Sequence, residues 1–144
     1  MRCFFIGHRD APGELLEQLI DQVERQVEEA GIQEFLVGGY GGYDRMAAQA
    51  VTHVKKRRPE VTLLLLLPYH PAQRQVDLLP DFDGSLYPPG LERTPRRYAI
   101  VKANHYGVDS SQCLIAYAWK PGSNAVKLVE YAEGRKDKWI IRLR

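Results

Sequence analysis

Apolar positions along this chain switch repeatedly between two spacings, and the switching predicts its elements. Cys3 to Ile6 is a short aromatic and β-branched run ending at Gly7, which reads as a strand followed by a turn. Leu15, Leu16, Leu19, Ile20, Val23, Val27 and Ala30 then recur at helical spacing. Asp10 is the expected N-cap of that helix, Pro12 falls in its first turn, and Gly31 closes it. Phe35 to Val37 predicts a second strand, and Met46, Ala47, Ala50, Val51 and Val54 predict a second amphipathic helix. Val61 to Leu67 lacks alternation, and the prolines at 59 and 68 leave too little room for a helix. Such a run suits a strand covered on both faces, as in a parallel sheet.

The periodicity then fades. A short helix is expected over Pro71 to Leu79, followed by an irregular proline-rich loop near 80–95. Arg96 to Tyr106 reads as helix, Cys113 to Ala118 as a fourth strand, Ala125 to Gly134 as helix, and Trp139 to Leu143 as a fifth strand. Strands alternating with helices over residues 1–144 argue for one three-layer α/β domain with a mainly parallel sheet of about five strands. Right-handed crossovers place every strand-to-helix loop on one sheet edge. The loops at Gly7-His8-Arg9, Gly38 to Asp44, Pro68-Tyr69-His70 and Trp119 to Asn124 are therefore expected together, where open α/β sheets bind ligands. If the first strand is central, the first and fourth loops flank that crevice.

Composition narrows the function class. An apolar fraction of 44% and a charged fraction of 26% are those of an ordinary globular protein. A net charge of +2 argues against a nucleic-acid or membrane partner. The run Lys55-Lys56-Arg57-Arg58 suits a helix C-terminus, where the macrodipole is negative. The first residues enter a strand pattern directly, without the apolar region of a signal peptide, and the longest apolar stretch is far short of a membrane span. Cys3 and Cys113 lie in apolar runs and read as buried thiols, so a reduced, cytoplasmic setting is expected; no metal motif is present.

The loops carry the candidate chemistry. Gly38, Gly39, Gly41 and Gly42 crowd four glycines into five positions ahead of a helix N-terminus, whose unpaired N–H groups suit an anion. The spelling G-G-Y-G-G-Y-D matches neither the dinucleotide fingerprint nor a P-loop, so a tight corner remains the other reading. Asp44 can cap the second helix or accept from ribose hydroxyls. Arg9 can pair with a phosphate, or stand solvated at the surface, and His8 reads as structural. Pro121-Gly122 makes a turn, and Ser123 or Asn124 caps the last helix or holds a second polar group of the ligand. Tyr69, Tyr87 and Trp119 either stack on a base or seal the loops.

Taken together, "FFIGHR", "VGGYGGYD" and "CLIAYAWKPGSNAVKLVEYA" with "WIIRL" resemble the SLOG superfamily, which joins SMF/DprA proteins with LOG-type lysine-decarboxylase-like hydrolases. "KANHYGVDSSQCLIAYAW" is similar to the small stand-alone YpsA-like branch, with Asn104 and Asp109 in matching places. The resemblance implies a Rossmann-like fold and a site for a nucleotide, NAD or ADP-ribose-like ligand lined by Gly7, Arg9, Gly39, Gly42, Asp44, Gly122 and Ser123. It also implies a homodimer. LOG-type hydrolases carry P-G-G-x-G-T-x-x-E; here the turn lacks the later glycine and the threonine, and Val129 takes the glutamate's place with Glu130 one residue late. One residue turns a helix by about 100°, which sends Glu130 elsewhere. The leading expectation is a module that binds or senses a nucleotide-like small molecule. The alternative is an N-glycosidase or ribosyl-transfer enzyme acting on a nucleoside monophosphate or related compound through Asp44 or Glu130. DNA binding through Lys55 to Arg58, or through Arg93, Arg96 and Arg97, is the third reading.

Overall fold

A computed structural model describes residues 1–39, 41–72 and 80–144. Six strands form one sheet: β1 (Arg2–Gly7), β2 (Glu34–Val37), β3 (Thr62–Leu66), β4 (Gly84–Leu86), β5 (Cys113–Tyr117) and β6 (Trp139–Arg142). Their spatial order is β4-β3-β2-β1-β5-β6, and every neighbouring pair is parallel. Among the described residues four α-helices cover it: α1 (Leu15–Ala30), α2 (Gly42–Lys55), α3 (Ala99–Asp109) and α4 (Asn124–Glu133). The chain thus winds outward from β1 in both directions, and the order reverses between β1 and β5. This is a Rossmann-like three-layer α/β fold.

Parallel strands buried on both faces send alternate side chains into two cores. Cys3, Phe5, Phe35, Leu63 and Ile115 join Leu19 and Val23 of α1 and Ala47 and Val51 of α2 in one. Phe4, Ile6, Leu36 and Leu114 meet Ala103 and Val108 of α3 and Val129 and Ala132 of α4 in the other. Cys3 stands opposite Cys113 in the β1–β5 register; both thiols are free and buried. Burial, with Cys113 beside it, pushes the Cys3 thiol well up, so it stays protonated and inert at neutral pH.

Three expectations need correction. The sheet has a sixth strand, because Gly84–Leu86 pairs with Leu64 to Leu66 inside the proline-rich stretch. Asp83 secures it: its Oδ2 accepts from the Leu63 N–H at 2.8 Å and pairs with Lys55 Nζ at 2.6 Å. Asp10 does not cap α1, which begins five residues later after Glu14; its carboxylate instead takes Lys120 Nζ at 2.8 Å. Asp44 does not cap α2 either, since Gly41 holds the cap position and Asp44 lies in the first turn. The helix expected over Pro71 to Leu79 falls mostly on residues 73–79, outside the described residues. The basic run ends α2 as expected, and its charges meet carboxylates: Lys55 meets Asp83, Arg57 meets Glu24, and Arg58 meets Glu28 and Glu60. No helix among the described residues is long and apolar enough to cross a membrane.

Two glycines let the helical layers reach the central strand. A Cβ on Gly7 would overlap the Tyr43 ring of α2, and one on Gly107 of α3 would overlap the Phe4 ring. Tyr43 is buried and donates its hydroxyl hydrogen to the Ile115 carbonyl at 2.8 Å, tying α2 to β5 beneath β1. Gly7→Ala should therefore lower stability by about 1–3 kcal/mol through overpacking, measured as a fall in the urea midpoint. Gly13→Ala, where a Cβ meets nothing within 4 Å, should leave the midpoint nearly unchanged.

Candidate functional site

A crevice of about 310 Å³ opens at the C-terminal edge of the sheet, where the strand order reverses. This is within the size range of small-molecule sites. Phe4 to Gly7 of β1 form its floor, and Gly38 and Asp44 border it from the β2–α2 side. Ile100 and Asn104 of α3 and Asn124, Ala125 and Leu128 of α4 complete the walls together with Arg9 of the β1–α1 loop. The first turns of α2 and α4 both border the crevice, through Asp44 and through Asn124 and Ala125, so two helix N-termini bring partial positive charge to one space.

The glycine-rich turn proves to be both corner and wall. Gly41 has φ 103°, a conformation that favours glycine, and a Cβ there would lie 2.8 Å from Arg9 Cα. A Cβ on Gly42 would lie 2.8 Å from the Arg9 carbonyl oxygen, to which the Gly42 N–H donates at 2.7 Å. The close passage of the β1–α1 loop is by itself enough to require glycine at 41 and 42. Gly38 lines the crevice, while a Cβ on Gly39 would meet, among the described residues, only Leu65 at 3.6 Å.

Of the residues proposed from sequence, Gly7, Arg9, Gly38, Asp44 and Asn124 come together around the crevice. His8, Gly39, Gly41, Gly42, Gly122 and Ser123 are not among its lining residues. Ser123 is the cap of α4, its Oγ accepting from the Val126 N–H at 3.2 Å, and Gly122 takes a left-handed φ of 75° in the preceding turn. Glu130 is exposed on α4 and does not reach the crevice, as its one-residue offset predicts. Asp109 ties α3 to α4 instead, accepting from the Tyr131 hydroxyl at 2.8 Å and pairing with Arg135. Sequence reasoning missed Ile100, Ala125 and Leu128. Their helical spacing was visible, but an exposed apolar residue and a crevice wall look alike in a sequence.

His8 latches two of the loops. It is 6% exposed, and its Nε2 accepts from the backbone N–H groups of Trp119 at 2.9 Å and Lys120 at 3.3 Å. Accepting at Nε2 requires the neutral ring with its proton on Nδ1. The Tyr117 and Trp119 rings meet the imidazole edge-on at 5.6 Å, and the Asp10–Lys120 pair closes the same gap outside it. This joins the loop after β1 to the loop after β5 on either side of the reversal.

The described lining residues supply one cation, Arg9, one carboxylate, Asp44, and two amides, Asn104 and Asn124. That set can pair with an anion, accept from hydroxyls and do both with the amides. No cysteine, histidine or serine stands among them to act as nucleophile or base. Among the described residues, no group of three or more His, Cys, Asp or Glu could hold a metal ion. No protein-family model matches the chain, and no curated protein matches it.

Burial, reinforced by the Lys120 cation and opposed by the Asp10 carboxylate, holds His8 below the ordinary imidazole value. As pH falls through about 6.5 the unfolded chain takes up this proton first, so folding stability declines from there down to the folded-state value. Thermal unfolding followed from about pH 8 to about pH 5 should show this decline in the intact protein. His8→Gln should be less stable at the upper end and should show a shallower decline.

Proposed function

We propose that the chain binds a nucleotide or nucleotide-derived small molecule in the crevice at the C-terminal edge of its sheet. The observation that carries this reading is the meeting of Arg9, Asp44 and the first turn of α4 around one cavity at the point of strand reversal. Arg9 and the N-terminal turns suit a phosphate, while Asp44 and the asparagine amides suit ribose hydroxyls. Among the described residues no carboxylate forms an ion pair with Arg9, which leaves its guanidinium for a ligand.

Binding is favoured over N-glycosidic cleavage because the two carboxylates such chemistry would use are separated: Asp44 lines the crevice and Glu130 does not. Binding of DNA through the basic run loses support because Lys55, Arg57 and Arg58 already face carboxylates. The resemblance to the SLOG superfamily agrees with the proposal, and a homodimer is its further implication.

Calorimetric titration with nucleoside monophosphates, ADP-ribose and NAD should find a ligand of micromolar affinity. Arg9→Ala should weaken it at least about tenfold, the loss of one charge-assisted phosphate contact. Glu130→Gln should bind as the intact protein does. Absence of binding by the folded protein would refute the reading.

A further inference from the structure

A second hollow, of about 450 Å³, lies at the same sheet edge beyond the ends of β3 and β4. Pro68 and Tyr69 follow β3, Tyr87 follows β4, and Thr94 and Arg96 precede α3. Ala99 of α3 lines this hollow and the next residue, Ile100, lines the crevice, so the first turn of α3 borders both. The ends of β1 and β3 are two strand spacings apart, about 10 Å.

The chemistry of the hollow differs from that of the crevice. The Arg96 guanidinium lies over the Tyr69 ring, 4.9 Å from its centroid. The half-buried Tyr87 ring is held edge-on by His70 at 5.3 Å. Among the described residues no carboxylate forms an ion pair with Arg96, although Glu92 lines the same hollow. Aromatic rings, and a guanidinium held over one of them, give planar surfaces for stacking. Thr94 and Glu92 add polar groups that can meet the edge of a stacked ring.

We propose that this hollow is the base subsite of the ligand whose phosphate lies by Arg9. The inference rests on the nucleotide reading and narrows it to ligands that carry a base and a phosphate at opposite ends of a ribose. The ribose lies along the first turn of α3, within reach of Asp44 and Asn104. The base stacks on Tyr87 and on the Tyr69–Arg96 pair.

The test is calorimetric titration of AMP and of ribose 5-phosphate into the intact protein and into Tyr87→Ala, Arg96→Ala and Arg9→Ala. The intact protein should bind AMP at least about tenfold more tightly than ribose 5-phosphate, the margin that one stacked base supplies. Tyr87→Ala and Arg96→Ala should each remove most of that margin while leaving ribose 5-phosphate binding unchanged; Arg9→Ala should weaken both ligands. Equal affinity of the intact protein for the two ligands overturns the subsite and leaves the crevice standing. Survival of the margin in both variants overturns the subsite in the same way. If neither ligand binds, the subsite and the nucleotide reading fall together. Arg96 is an exposed side chain, so its variant keeps the test valid should Tyr87→Ala fail to fold.

Discussion

The structure depends on how closely two helical layers approach the central strand. Gly7 accepts the Tyr43 ring on one face of β1, and the Phe4 side chain accepts Gly107 of α3 on the other. Both are contacts between a ring and a backbone without a Cβ, and protein interiors are dense enough that a single added methyl is felt. Once Tyr43 is seated, its hydroxyl bond to Ile115 fixes α2 against β5 as well as β1. The N-terminus of α2 is then forced against the β1–α1 loop, where Gly41 and Gly42 pass Arg9 at contact distance. The crevice is the space left over where these layers diverge beyond the strand ends.

Charge is distributed to match that geometry. Around the body of the fold, cations meet carboxylates: Arg2 with Glu34, Lys55 with Asp83, Arg135 with Asp109, Arg142 with Glu133. Where such pairs are exposed they contribute little to stability, but they cancel the local field. Arg9 and Arg96 enter no such ion pair among the described residues, and both border hollows at the C-terminal edge of the sheet. Arg9 shares its crevice with Asp44 and Arg96 its hollow with Glu92, so each space holds a described side chain of either sign. Overall charge alone would have hidden this.

Local signals in the sequence were read correctly where one element decides them. The unalternating Val61 to Leu67 run became a strand inside a parallel sheet, and Ser123 caps α4 as its position before an apolar helix suggests. Signals that have two uses were misread. Asp10 and Asp44 both precede or begin helical stretches and have capping side chains, yet one is drawn to Lys120, 110 residues away, and the other is carried into the first turn by the Gly41 conformation. β4 left almost no trace, because Gly-Ser-Leu has little strand propensity and is held by β3 and by the Asp83 carboxylate. Gly41 and Gly42 announced a constraint without saying what imposed it; only the approach of Arg9 shows that the neighbour is the protein itself.

By itself, then, the sequence determined the alternation of elements, the three-layer class and the sharing of one edge by the strand-to-helix loops, because periodicity and the right-handed crossover are properties of short stretches. Which loop residues meet was decided by tertiary structure alone. Strand order set β1 beside β5, and the first turn of α3 brought Ile100 to the crevice and Ala99 to the neighbouring hollow. Those outcomes depend on packing between residues far apart in the chain, and no local pattern encodes which distant partner will occupy a given space.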